Sequence, residues 1–298
     1  MLKFKKSIIS SFLLSSALFV SSAQALKIEL NQLDPSQFSD AKGQAALLGF
    51  TEAANFWENV LADNISLSID IGFDALDPGV LGGTRSTSAL YLYQNALIGM
   101  IDDIDSDADL VAASNLGCDL SQGGSFAGLC AFSFLDQEVS GGVSTTVLDN
   151  DGSTDNYTLA LSQANAKALG FTSDDTGRAF GNTSDANIVF SSEFEFDFDR
   201  TDGIASGFFD FVGVAIHEIG HALGFSSGVD DYDFINNSGQ VDPAANDLDG
   251  FVVDNILDLF RYSADSLIAG AGVLDLRPGA DSFFSIDGGA TAIAPFST

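Results

Sequence analysis

Residues 210–227 read DFVGVAIHEIGHALGFSS. The stretch has no proline. Phe211, Val212, Val214, Ala215, Ile216, Ile219, Ala222 and Leu223 make it apolar nearly all round, so it predicts a largely buried helix ended by Gly224. The only two histidines of the 298 residues, His217 and His221, stand four apart within it. Positions i and i+4 lie one turn apart on one face, so both imidazoles can reach a single metal ion. Glu218, one step round from His217, can flank that ion without ligating it and take a proton from water on it, the arrangement of H-E-x-x-H metalloproteases. Zinc suits such a pair because it lowers the pKa of bound water to near 7 and polarises a carbonyl oxygen. With so few histidines and glutamates, the motif would arise by accident on the order of once in several thousand such chains. The competing reading places both histidines, hydrogen-bonded, in a helical core.

A tetrahedral catalytic zinc site needs a third protein ligand. No glutamate follows Glu218, so a downstream glutamate ligand is excluded in this chain. HEIGHALGFSS keeps the longer pattern H-E-x-x-H-x-x-G-x-x-H as far as Gly224, but Ser227 stands at the place of the third histidine, and no methionine follows Met100.

HEIGHALGF with its glycine resembles the metzincin clan. Across residues 157–298 the stretches ANAKALGF, DFDRTDGIASGFFDFVGVAIHEIGHALGFSSGVD, LDLFRYSA and FFSIDGGATAIAPFST resemble secreted bacterial relatives of leishmanolysin. The resemblance implies an α+β, zincin-like catalytic domain: a mixed twisted sheet, long helices and an irregular C-terminal lobe. It further implies zinc on His217 and His221, Glu218 as general base, and protein or peptide substrates. In leishmanolysin-like enzymes an insertion separates the short motif from a distant third histidine, with the methionine turn later still; the residues after Gly224 would correspond to that insertion. Two expectations follow for the third ligand. Either the sequence is a fragment and the ligand lies beyond Thr298, or an aspartate substitutes, Asp230 being nearest, with Asp231 and Asp233 behind it. A site of two histidines alone is expected to hold zinc weakly and to be poorly active or inactive. The clan also resembles itself in holding peptide as an added strand along a sheet edge, a role IVFSSEFEFDF could fill; plain solvent exposure explains its acidic face equally well.

The N-terminus sets the compartment. Lys3, Lys5 and Lys6, an apolar run from Ile8 to Val20, and Ala23-Gln24-Ala25 read as a secretory signal peptide cleaved after Ala25, the run being short for a membrane span. The expected organisation is therefore 1–25 signal peptide, 26–225 an N-terminal lobe with the histidine helix, and 226–298 an irregular C-terminal lobe. Cys118 and Cys130, the only cysteines, read as a disulfide in an exported chain. The formal charge of −31 repels nucleic acid and anionic lipid, so neither is an expected partner. Aspartate supplies 35 of the 42 acids, which suits divalent cations as well as a solvated coat. Asp149, Asp151 and Asp155 around Gly152 read either as a calcium loop or as a plain turn, and NDLDG is a weaker case. Two non-enzymatic alternatives stand: an inactive exported binding protein on a zincin fold, and a calcium-dependent acidic adhesin.

Patterning predicts helices over Phe50–Leu61, Ser88–Met100, Thr158–Leu169 and Asn255–Ile268, and strands at Ile65–Phe73 and Asp185–Asp199. Arg261 lies amid apolar residues, where it could pair with an aspartate or lie exposed.

Overall fold

The computed structural model describes residues 26–122, 127–140, 143–180, 183–229, 231–232 and 254–296. Residues 1–25, read as a signal peptide, and Asp230, Asp233 and NDLDG lie outside the described residues. The fold is mixed α and β, with several small sheets.

The largest sheet is built from β1 (Lys27–Gln32), β2 (Ser66–Asp74), β3 (Gly82–Ser86) and β8 (Ala186–Ser191), in the order β1-β2-β8-β3. β1, β2 and β8 run parallel, and β3 pairs antiparallel with β8 at one edge. β2 shows the expected alternation: Leu67, Ile69 and Ile71 are buried, and Ser66 at its head is exposed. The long helix α1 (Ala41–Val60) is capped by Asp40, whose carboxylate accepts from the Gly43 amide at 2.7 Å. Its buried stripe includes Ala46, Phe50, Ala53 and Ala54, and it packs against α5 (Phe211–Ala222).

Sequence periodicity merged elements that the structure separates. Ser88–Met100 is strand β4 (Ser88–Leu92) followed by helix α2 (Tyr93–Asp102). Thr158–Leu169 is strand β7 (Thr158–Ser162) followed by α4 (Gln163–Ala168). The two strands pair antiparallel, and Leu159 and Leu161 are fully buried; a short apolar run of this kind fits a strand as well as a helix, and cross-strand pairing decided it. Asn255–Ile268 is broken because Arg261-Tyr262 (β11) pairs with Phe283-Phe284 (β13) and Ser263 opens a new helix, α6 (Ala264–Ala269), with a capping box to Ser266. Residues 185–199 form β8, a turn, and the short β9 (Phe196–Asp197), which pairs with β10 (Phe209–Asp210). Phe196 is buried there, while Glu193 and Glu195 are exposed. The acidic stretch at 102–110 starts α3 (Asp107–Asn115) behind a Ser106–Asp109 capping box.

β5 (Phe134–Ser140) and β6 (Val143–Asp149) form a hairpin, and β12 (Leu274–Asp275) adds parallel to β5. β14 (Ala294–Pro295) pairs with β13. Cys118 and Cys130 are bonded, and Asp119 and Ala131 exchange backbone hydrogen bonds beside them. Closing a loop of this size removes about 3 kcal/mol of unfolded-chain freedom. Gly170 takes φ +77° just past α4, the left-handed conformation that ends a helix there.

The buried side chains fall into two clusters. One gathers α1, β1, β2, β8 and α5; the other gathers β4, β5, β7, α2, Val229, Tyr232 and residues 259–276. No helix among the described residues is long and apolar enough to cross a membrane.

Candidate metal centre

Helix α5 begins in an aromatic box. The Phe211 ring lies 5.1 Å from Phe50, 4.9 Å from Phe190, 5.2 Å from Phe196 and 4.9 Å from Phe198. A side chain at position 49 would enter that ring, its Cβ 2.4 Å from Phe211 Cδ1, so Gly49 on α1 is what lets the two helices meet there. Asp210 caps the helix through the Gly213 amide at 2.9 Å and pairs with Arg200 at 3.1 Å. Midway along, the only tryptophan, Trp57, donates from Nε1 to the Ile216 carbonyl at 2.9 Å and lies over Gly220, where a Cβ would stand 3.2 Å from the ring. The Trp57 ring then stacks on Phe225 just beyond the helix, 5.3 Å between centroids. The helix is thus fixed at its start, middle and end by aromatic contacts.

His217 and His221 emerge on one face as read from their spacing. Their Nε2 atoms are 3.0 Å apart, and the rings meet edge to face. His221 Nδ1 lies 2.8 Å from the Phe225 carbonyl. A carbonyl only accepts, so Nδ1 carries a hydrogen, and in the neutral ring the Nε2 lone pair is left toward His217. Two ring nitrogens 3.0 Å apart are bridged by a proton on either of them or by a shared cation. Two nitrogens bonded to one zinc, each at about 2.0–2.1 Å, must lie within about 4.2 Å of one another. The observed spacing fits, and the Phe225 carbonyl supplies the outer contact that orients a ligating imidazole.

Glu218 is buried, 8% exposed. Its partner is on the edge strand β3: Thr84 Oγ1 stands 2.8 Å from Glu218 Oε2 and 2.8 Å from the Glu218 carbonyl. Ser86, two residues on and so on the same face of β3, donates to the His221 carbonyl at 3.1 Å. The sheet edge is therefore stitched along the helix that presents both histidines. Nothing in the sequence singled out Thr84; only the antiparallel register of β3 on β8 brings it there.

At Gly224 the backbone takes φ +94°, and the Leu223 carbonyl accepts from Asn165 Nδ2 at 3.2 Å. Ser227, at the place of a third histidine, donates to the buried Asp258, which also accepts from the Gly228 amide at 2.8 Å and the Asn255 amide at 2.9 Å. Arg261 is buried too; it donates to the Asp275 carbonyl at 2.8 Å and its charge acts on Asp258. Among the described residues no three His, Cys, Asp or Glu side chains converge as a metal-binding group. Asp231 is exposed at the end of a described segment.

In the turn after β6, Asp151 accepts from the Ser153 amide at 2.7 Å and Asp149 from Asn156 Nδ2 at 3.0 Å, while Asp155 is buried. Burial raises the Asp149 carboxyl to about 6. An apolar pocket bounded by Leu61, Ile65, Ala164, Leu223 and Phe225 opens at the end of α5, but neither histidine nor Glu218 lines it, so it is not where the helix would do chemistry.

Compared with protein-family models, curated proteins and solved structures, the chain matches none.

Proposed function

We propose that the chain is an exported zinc-dependent peptidase of metzincin-like type, with His217 and His221 holding zinc and Glu218 as general base. The observation that supports it is the pair of Nε2 atoms 3.0 Å apart, one tautomer fixed by Phe225, with a buried carboxylate on the adjoining residue. When bound, zinc supplies a water acidified to near neutrality and a Lewis acid for the scissile carbonyl. The chain's own part is to place a proton acceptor and a substrate. Glu218 would take the proton from the attacking water and deliver it to the leaving amine. Thr84 has one hydroxyl proton for two acceptors on Glu218, and donating it to Oε2 holds the carboxylate in one orientation. Peptide would add along β3, the edge of the largest sheet; of IVFSSEFEFDF, to which the sequence reading gave that role, residues 188–191 lie instead between β2 and β3.

Thr84→Val keeps the shape of the side chain and removes the donor. It should lower kcat about tenfold or more with KM little changed, and Thr84→Ser should restore most of the rate. Equal loss in the serine variant would assign Thr84 to packing alone. The reading as a whole is tested by casein hydrolysis that stops on chelation and returns with zinc.

One observation favours a second reading, a zincin-like binding protein without activity: Ser227 is committed to Asp258, and no third donor stands beside the histidines among the described residues. Stoichiometric zinc binding with no hydrolysis of any peptide would select it.

A further inference from the structure

The open edge of the largest sheet carries a cation that no described residue takes up. β3 pairs with β8 on one side only. The bonds flanking that pair, Thr87 amide to Asp185 carbonyl at 2.8 Å and Ser191 amide to Leu81 carbonyl at 2.9 Å, fix which residues face β8. In an antiparallel ladder the pairs alternate, so Gly83 and Arg85 turn their backbone groups toward β8, while Gly82, Thr84 and Ser86 turn theirs outward. No hydrogen bond among the described residues uses those outward amides and carbonyls.

Side chains alternate as well. Thr84 and Ser86 face α5, so Arg85 stands on the opposite face of the strand. It is exposed, and its side chain makes no hydrogen bond or ion pair among the described residues. Most other cations are committed: Lys27, Lys167, Arg200 and Arg277 to carboxylates, Lys42 and Arg261 to main-chain carbonyls. The register explains how Arg85 stays free in a chain of formal charge −31. Asn187 lies beside it on β8, and Asp70 of the same row is a further strand away, about 10 Å in all. Salt screens an exposed pair at that range. On its other side, about 4.8 Å off, is the vacant place of an added strand.

We propose that Arg85 is a specificity residue for extended peptide added along β3, selecting an aspartate or glutamate at the position opposite it. This rests on β3 being the substrate strand and names the substrate that strand favours. Because the backbone of Arg85 faces β8, Arg85 and the opposing residue of an antiparallel peptide form a non-hydrogen-bonded pair, with Cα atoms about 4.5 Å apart. Opposite charges in such a pair attract, and like charges repel. Gly83, two residues earlier on the same face, has nothing within 4 Å of where a Cβ would stand, so the peptide position opposite it has room for a large side chain. The overall negative charge repels a peptide rich in acids, so the edge favours one carboxylate in an otherwise neutral segment. Thr84, next to Arg85, reaches Glu218, which places that carboxylate one residue along the strand from the partner of the general base.

A charge on an edge strand also keeps sheets from pairing edge to edge, a role that needs no particular peptide. The two roles part under a walk of single Glu, Gln or Lys through each position of a labelled, otherwise neutral eight-residue peptide. Binding to the zinc-loaded full chain carrying Glu218→Gln, read by fluorescence anisotropy, is set beside hydrolysis of the same peptides by the chain with Glu218 intact. At one position Glu should bind about three- to tenfold more tightly than Lys, with Gln between them. Arg85→Gln should level that order and Arg85→Glu should reverse it at the same position. Arg85 is exposed, so both variants should fold as the unaltered chain does. An order that survives Arg85→Glu, the lack of any charge preference, or no peptide binding at all would overturn the proposal. So would self-association of Arg85→Gln with the peptide order unchanged, which would assign Arg85 to guarding the edge. Binding in the Arg85-dependent order without hydrolysis would uphold the proposal and count against the peptidase reading; hydrolysis without charge preference would do the reverse.

Discussion

Glu218→Gln should lower the hydrolytic rate by about 10²–10⁴ while leaving zinc stoichiometry and the unfolding temperature nearly unchanged. The substitution keeps the size of a side chain that is 8% exposed, and its amide oxygen can still accept from Thr84 Oγ1. What it loses is a basic oxygen. If the role of Glu218 were to fill the space between α5 and β3, glutamine would serve as well and the rate would survive. If the carboxylate were instead a metal ligand, zinc affinity would fall with the rate. Only a proton acceptor beside an intact metal pair loses rate alone. Kinetics on casein or a peptide, with elemental analysis of the same sample, separate the three cases.

Gly224→Ala is the second large effect, and it acts through the backbone. At φ +94° an L-residue is strained by about 1–2 kcal/mol. A Cβ there would also stand 2.1 Å from Asn165 Oδ1, so the amide that donates to the Leu223 carbonyl must leave, losing about 1 kcal/mol more. A total of about 2–3 kcal/mol should lower Tm by roughly 5–10 °C in a chain of this size. Gly79→Ala is the control, because Gly79 has a similar φ of +91° but nothing within 4 Å of its Cβ; it should show the strain without the clash. The turn at Gly224 also sets the Phe225 carbonyl against His221 Nδ1, so Gly224→Ala should weaken zinc about 10- to 100-fold, as loss of an outer contact does. Equal stability of the two alanine variants would show that the Asn165 contact contributes nothing.

How much of this was legible beforehand follows from the range over which each feature is determined. The histidine helix is local: an apolar run, an Asp210 cap and a terminating glycine specify it within fifteen residues, and its bounds came out as read. The disulfide and the strand Ser66–Asp74 are comparably local. Elements that depend on partners were misjudged. Ser88–Leu92 and Thr158–Ser162 are strands because each is the other's neighbour, some 70 residues apart in sequence, and no window of periodicity contains that fact. The site divides in the same way. Spacing alone placed His217 beside His221. Thr84 reaches Glu218 across 134 residues, and Asp258 takes Ser227 across 31, so both were invisible as site residues. An aspartate inside the apolar run NILDLF was the one available signal for Asp258, since a buried carboxylate needs donors.

The central claim is that one turn of α5 presents two imidazoles to a single zinc ion. Equilibrium zinc binding to the full chain, measured beside His217→Ala and His221→Ala, tests it most directly. One ion per chain, with affinity reduced at least a hundredfold by either substitution while the fold persists by circular dichroism, is the expected result. Folded protein that takes up no zinc, or that holds it equally well after both histidines are replaced, would contradict the account.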